Sequence, residues 1–281
     1  MSDIDRTSRK HRSSVARNAC AAAILAGAAA SPGAAMAQAF DATWVFRAAA
    51  FFPKVDTHVR ADGNNGQIGT SIDFETDLGL DDSKTLPVIE MSWRMAPNHR
   101  LELGYLNLAR TATHTLHGSV SWQGQVYPVS TQVTGEFDSR ILALTYLYSF
   151  YHTPATEIAA GLGIHNANLK ASIAAAGQTL GGTREASANA PLPVIALRAA
   201  QRFGDAVSGE LRYQWFGLKY GDYDGSLHVF NATVAYFPWK NWGFEAGYAF
   251  TKYDIKVQKD AWRGEARYEF NGPTIALVAA F

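Results

Sequence analysis

The segment Phe244-Glu245-Ala246-Gly247-Tyr248-Ala249-Phe250-Thr251 alternates large or apolar side chains with polar or small ones. A period of two is the period of an extended strand. It puts Phe244, Ala246, Tyr248 and Phe250 on one face and Glu245, Gly247, Ala249 and Thr251 on the other. Similar segments recur along the chain, each about the 9 to 11 residues that a tilted strand needs to cross a bilayer. After the first forty residues there is no apolar run near the 20 or so that a membrane helix requires, so helical spanning is excluded. Composition agrees: 47% apolar and 12% aromatic residues give enough surface to bury, against general disorder. With 25 Lys+Arg against 25 Asp+Glu there is no polybasic surface for nucleic acid. High aromatic content without any apolar stretch fits strands that are apolar on one side only, as in a membrane β-barrel.

Residues 1–37 have the layout of a secretory signal peptide. Arg6, Arg9, Lys10, Arg12 and Arg17 form the basic part, Ala19 to Ala30 the short apolar part, and Ala35-Met36-Ala37 the cleavage context, with Ala37-Gln38-Ala39 as a second candidate. Removing them leaves residues 38–281 with a slight acidic excess and no cysteine, since Cys20 lies within the peptide. An exported chain without cysteine has no disulfide framework and must be held by its sheet or core.

Four short connections share a texture: Met95 to His99, Tyr151 to Ala155, Phe203 to Val207, and Phe237 to Asn241. Each enters on an aromatic residue or Met, and three contain proline, which a central ladder rejects. A glutamate follows early in the next strand every time: Glu102, Glu157, Glu210 and Glu245. The intervening connections, Val59–Thr85, Thr115–Val133 and Ser172–Ala190, are longer and more polar. Tight turns alternating with long loops predict an all-β, closed, antiparallel up-and-down transmembrane barrel with short turns on one side of the membrane. Strands are expected near 42–58, 86–95, 100–115, 134–151, 156–171, 189–203, 208–221, 226–237, 242–256 and 262–281, which makes ten. Gly69 to Leu80 is ambiguous: it extends the first hairpin or crosses separately, so eight and twelve strands stay open.

The chain ends in Pro273-Thr274-Ile275-Ala276-Leu277-Val278-Ala279-Ala280-Phe281, a strand that stops on an aromatic residue. With the signal peptide, the aromatics near strand ends and the missing cysteines, this resembles bacterial outer-membrane β-barrel proteins of the small monomeric kind. The resemblance spans residues 40 to 281 and is specific for class, not for activity. It implies an outer-membrane location after export through the periplasm. It also implies outer-membrane lipids and lipopolysaccharide as neighbours, and a terminal strand with Ile275, Leu277 and Phe281 read by the barrel-assembly machinery. The expectation is a monomer with no nucleic-acid partner and no cofactor.

Alternation also sorts the charges. Arg47, Glu90, Arg94, Glu102, Glu157, Arg198, Arg202, Glu210, Arg212, Glu245, Arg267 and Glu269 are expected inside the barrel. There they form an ion-pair ladder that fills it, or a charged constriction that selects small solutes. Trp44, Trp93, Tyr148, Phe150, Phe203, Tyr236, Trp239 and Trp242 fit an interfacial girdle beside the short turns. Gly104-Tyr105 and Gly247-Tyr248 suggest an aromatic ring lying over a strand glycine. Of the histidines, His165, placed inside and near the outer end of its strand, is the first candidate for a catalytic base, and the His114/His117 extension is the alternative. His114 and His117, with Ser119 and Ser121, lie on an outer extension with His114 and Ser121 on opposite faces. Asp81-Asp82 and Asp222/Asp224 are acidic loop pairs, and no spacing reads as a metal site. Three functions are carried forward: a non-catalytic envelope structural or interaction protein or narrow passive channel, a lipid A or phospholipid-modifying hydrolase, and a soluble secreted β-sandwich that binds a ligand.

Overall fold

A computed structural model describes residues 41–62, 68–175, 183–220, 223–259 and 262–281. The signal-peptide expectation and Asp222 lie outside them. The strands are β1 (Trp44–Phe51), β2 (Lys54–Ala61), β3 (Ile72–Asp73), β4 (Leu86–Ala96), β5 (His99–Thr115), β6 (Val120–Trp122) and β7 (Gln125–Tyr127), followed by β8 (Gln132–His152), β9 (Thr156–Ala175), β10 (Arg184–Phe203), β11 (Val207–Tyr220), β12 (Tyr223–Tyr236), β13 (Trp242–Lys259) and β14 (Trp262–Ala280).

One antiparallel sheet runs β1-β4-β5-β8-β9-β10-β11-β12-β13-β14 and closes because β14 pairs back onto β1, with Val45 opposite Ala280 and Phe51 opposite Thr274. Beyond Phe52-Pro53 the same edge of β14 pairs with β2, from Asn271 opposite Lys54 to Gly264 opposite Ala61. Proline cannot donate to a ladder, so the break falls there, and β1 with β2 is one wall with a kink. That makes ten walls. A single sheet closed on itself overturns the sandwich expectation, which needs two packed sheets. Ser172–Ala190 is shorter as a loop than expected, because β9 and β10 pair as far as Ile173 with Arg184.

The outer surface divides into two bands. Beside the short turns it is apolar: Phe46, Ile89, Leu144, Ile158, Leu162, Ile195, Leu211, Val234, Phe244, Tyr248, Ile275 and Leu277 are exposed. Isolated exposed apolar residues mean little, but a continuous belt around a closed sheet is the surface that hydrocarbon wets. Trp44, Trp93, Tyr148, Phe150, Phe203, Tyr236, Trp239 and Trp242 lie at that end, and Trp44 stacks on Trp93 at 5.2 Å. A bulge between Ser149 and Tyr151 turns both Phe150 and Tyr151 outward.

Toward the other end the same outward positions become charged: Lys252 pairs with Glu269, Lys256 with Glu265 and Arg267 with Asp254, at 3.5 Å each. Arg267 and Glu269 are therefore on the outer wall and not inside. They share the parity of Ile275 and Leu277, which face out on the same strand. The barrel stands beyond the apolar belt on this side.

Candidate functional site: the barrel interior

Two filled layers, with a chamber between them, make up the interior. Nearest the short turns, five arginines meet five glutamates. Arg47 on β1, Arg94 on β4, Arg100 on β5, Arg198 on β10 and Arg212 on β11 face Glu90 on β4, Glu102 on β5, Glu157 on β9, Glu210 on β11 and Glu245 on β13. Each reaches the inside because it has the inward parity of its strand. Arg198 is central: it donates to Glu157 at 2.7 Å and to Glu210 at 2.6 Å. Glu157, with no side-chain exposure, also accepts from Arg94 at 2.9 Å, Arg100 at 3.3 Å and the Ser149 hydroxyl. Arg212 reaches Glu90 at 2.9 Å and Glu210 at 3.0 Å; Arg47 reaches Glu245 at 3.1 Å. Glu102 lies 3.8 Å from both Arg198 and Arg212.

Equal numbers of each sign leave this layer formally neutral. Desolvating ten charges is expensive, and a well-packed apolar layer of the same volume would be as stable or more so. What the layer supplies is uniqueness of register, since slipping any strand by one residue would strip a charge of its partners. Arg100 was absent from the expected interior set, although it shares the parity of Glu102 two residues on; its place beside the turn hid it. Arg202 has inward parity but sits at the rim, bonded to Asp41.

At the opposite end the interior is apolar. Leu108, Val133, Phe137, Ile173, Tyr253, Tyr268 and Phe270 point in from the walls and are buried. Two loop segments drop onto them. Residues 70–82 bring Ile72, Phe74, Leu78 and Leu80 inward, tied to the wall through β3, which pairs with His58 and Val59. Arg110 anchors this segment, bonding Glu75, the Asp81 carbonyl and the Thr57 hydroxyl. The ambiguous Gly69–Leu80 stretch is thus a plug that does not cross the membrane. The second segment is the hairpin β6–β7, turned at Gln123 (φ 49°) and Gly124 (φ 75°). It buries Val120, Trp122 and Tyr127; Trp122 donates to the Arg184 carbonyl and Tyr127 to that of Ile173. Phe74 packs against both Trp122 and Phe137.

Between the two layers lies a chamber of about 150 Å³, bordered by Arg47, Glu90 and Glu245 on one side and Phe51, Ile141, Tyr253 and Phe270 on the other. A smaller cavity of about 100 Å³ shares Arg47, Glu90, Gly104, Ala143, His165 and Arg212 with it. Five of the inward positions that line it are small: Ala49, Gly104, Ala143, Ala249 and Ala276.

His165 lies in the chamber wall. It is the tenth of twenty residues of β9, opposite Ala143 and Leu192, so it sits at mid-wall rather than near the outer end. Its Nε2 is 2.7 Å from Gln214 Oε1, and Gln214 Nε2 donates to Thr145 Oγ1 at 3.1 Å. Those neighbours include no carboxylate to orient a base, a feature of nucleophile activation. His114 packs on the ring of His117 and against Gly79, while the Ser119 hydroxyl donates to the Tyr127 carbonyl and the Ser121 backbone N–H donates to the Thr70 hydroxyl. The structure does not bring these histidines and serines together. Asp81 and Asp82 are exposed, and Asp224 pairs with Lys219. Among the described residues no group of three or more His, Cys, Asp or Glu side chains could hold a metal.

Tyr105 does not cover Gly104: the ring faces out, and a Cβ at Gly104 would meet nothing closer than 3.9 Å. Gly247 is required for a different reason, because a Cβ there would come within 2.4 Å of the Ala232 carbonyl.

No protein-family model matches the chain, and no curated protein matches it in sequence. Solved structures do match in fold. The outer membrane protease OmpT of Escherichia coli aligns over 84% of this chain and 97% of its own, at 10% identity and a TM-score of 0.50. The translocator domain of the autotransporter NalP of Neisseria meningitidis aligns over 85% and 88%, at 10% identity and a TM-score of 0.40. Neisserial surface protein A (NspA) covers 85% and 97%, at 14% identity and a TM-score of 0.29. With its closed ten-stranded sheet and its apolar belt, the chain has the fold of the bacterial outer-membrane β-barrels.

Proposed function

We propose that this protein is a closed, non-conducting barrel of the outer membrane, exported by residues 1–37, that acts as an envelope structural and interaction protein through the half that stands outside the belt. One observation carries the reading: the interior is occupied at two separate levels, by the neutral charged layer and by the apolar plug of residues 70–82 and β6–β7. A passive pore needs a hydrated path past both. The charged outer wall of β2, β13 and β14 is then the surface that meets lipopolysaccharide headgroups and external partners, and the protein works as a monomer. The outward row of Ile275 and Leu277 on β14, continued by Phe281 just beyond it, is the face offered to the assembly machinery.

Planar-bilayer recording of the folded, inserted protein tests this. The expected result is no unitary steps at neutral pH. Steady steps would overturn it in favour of the narrow channel, with conductance limited at Arg198, Glu157 and Glu210.

A further inference from the structure

We infer that the central chamber is a binding site for a neutral, single-ring compound carrying one hydroxyl group. This goes beyond the closed-barrel reading, which needs the layers above and below the chamber but no occupant between them.

The first argument is cost. An unfilled space in a packed interior destabilises in proportion to its volume, and larger apolar side chains at these positions would remove the penalty. Yet five walls present alanine or glycine here, at Ala49, Gly104, Ala143, Ala249 and Ala276, between layers that are otherwise filled. At Gly104 a Cβ has ordinary van der Waals room, so neither backbone approach nor φ demands glycine. All five small residues border the same space.

The second argument is size and polarity. A cavity of about 150 Å³ is large enough for benzene, and this chamber has that volume, with Asn231, Thr233, Thr251 and Thr274 adding neutral polar groups to its lining. Its ceiling of Phe51, Ile141, Tyr253 and Phe270 suits an apolar ring. Its floor belongs to a layer with five charges of each sign, already paired, so it offers no surplus charge to an ionic ligand.

The third argument is a buried group with unused capacity. His165 is 5% exposed, and its Nδ1 has no hydrogen-bond partner. Thr145 Oγ1 accepts from the amide nitrogen of Gln214, which leaves the amide oxygen facing His165 Nε2. Nε2 therefore carries the proton and Nδ1 presents a lone pair. A buried acceptor left unsatisfied is destabilising. A ligand hydroxyl donating to Nδ1 removes that cost, and this selects a phenol-like compound over the bare ring.

The test is ¹⁹F NMR of the purified, folded protein in detergent, where bound and micellar probe resonate separately. The probes are 4-fluorophenol, 4-fluoroanisole and fluorobenzene. The expected result is a saturable bound signal, one probe per barrel, with 4-fluorophenol held at least threefold more tightly than 4-fluoroanisole, which has no donor. His165→Leu should abolish that preference while fluorobenzene still binds. Gly104→Val and, independently, Ala249→Leu should fill the space and eliminate the signal for every probe. Absence of a saturable signal with all three probes, or a signal that persists in both filled variants once each is shown to fold by heat-modifiable mobility, would overturn the inference.

Discussion

At the residue scale, Glu157 is the most heavily committed side chain of the charged layer: three guanidinium groups and a hydroxyl converge on one carboxylate with no exposure. Replacing it with alanine removes one charge and leaves three buried cations short of a partner. Glu157→Ala should therefore cost about 3–5 kcal/mol, the range for breaking a buried pair rather than for deleting it whole. It should be read as a lower urea midpoint for unfolding from detergent or bilayers. Glu210→Ala, which strips bonds from Arg198 and Arg212, should do the same, whereas Glu269→Ala on the exposed outer wall should change stability by less than about 1 kcal/mol. Equal losses at Glu157 and Glu269 would show that the inner layer is wet. These contrasts also explain what parity alone can deliver. It places Glu102, Glu157, Glu210 and Glu245 because each lies a fixed step from a recognisable turn. It failed at Arg267 and Glu269, which share the odd parity of the outward Ile275 and Leu277 on the same strand. For His165 the face is readable from alternation, but its depth is set by the stagger of neighbouring strands, which is not local information.

At the element scale, the strands were legible because lipid on one side and core on the other impose a period of two that turns interrupt visibly. The expected bounds for β4, β5, β8 and β13 fall within a few residues of those observed. The plug was not legible in this way. Ile72, Phe74, Leu78 and Leu80 fall at alternate positions, but that alternation reads the same for a crossing strand and for a plug, and their burial depends on the width of a mouth that ten walls define together. The β6–β7 hairpin carried a usable signal, Val120-Ser121-Trp122 and Gln125-Val126-Tyr127 alternating around Gln123-Gly124, which went unused inside a long connection. Two tests belong here. Trp122→Ala should cost about 3–5 kcal/mol, confined to the outer end: protease should nick residues 116–131 in intact cells while the spanning walls stay resistant. Burial holds the Tyr127 phenol above its ordinary value of 10.0. In the open hairpin that phenol ionises near the ordinary value, so its contribution to closure is complete below about pH 10 and is lost as pH rises beyond it. Trp122 emission, obtained by difference from Trp122→Phe, should shift red above that pH and be flat from 6 to 9. A shift beginning near neutrality would mean that another group opens the hairpin.

At the scale of the whole molecule, the apolar belt and the charged upper wall predict how the protein sits. Only the half nearer the short turns can lie in hydrocarbon, because Lys252, Asp254, Lys256, Arg267 and Glu269 face outward beyond it. Lysine or arginine at the position of Leu144 or Ile195 should hinder insertion by about 2–4 kcal/mol per residue at the bilayer midplane, while the same change at Asp254 should be tolerated. Folding yield into vesicles, followed by heat-modifiable mobility, separates the two outcomes.

The ring is closed by contacts such as Val45 with Ala280 and the paired backbone bonds between Trp44 and Phe281. Among the described residues no other pairing between walls joins residues so far apart in sequence, and bringing distant segments together is the slow part of building a sheet. The seam has a consequence in time. Until β14 arrives, β1 and β13 each present an unpaired edge to whatever strand is nearby, so the intermediate that precedes closure is the most aggregation-prone species on the pathway. A substitution that weakens this seam should lower the yield of folded protein far more than it lowers the durability of barrels that have already closed.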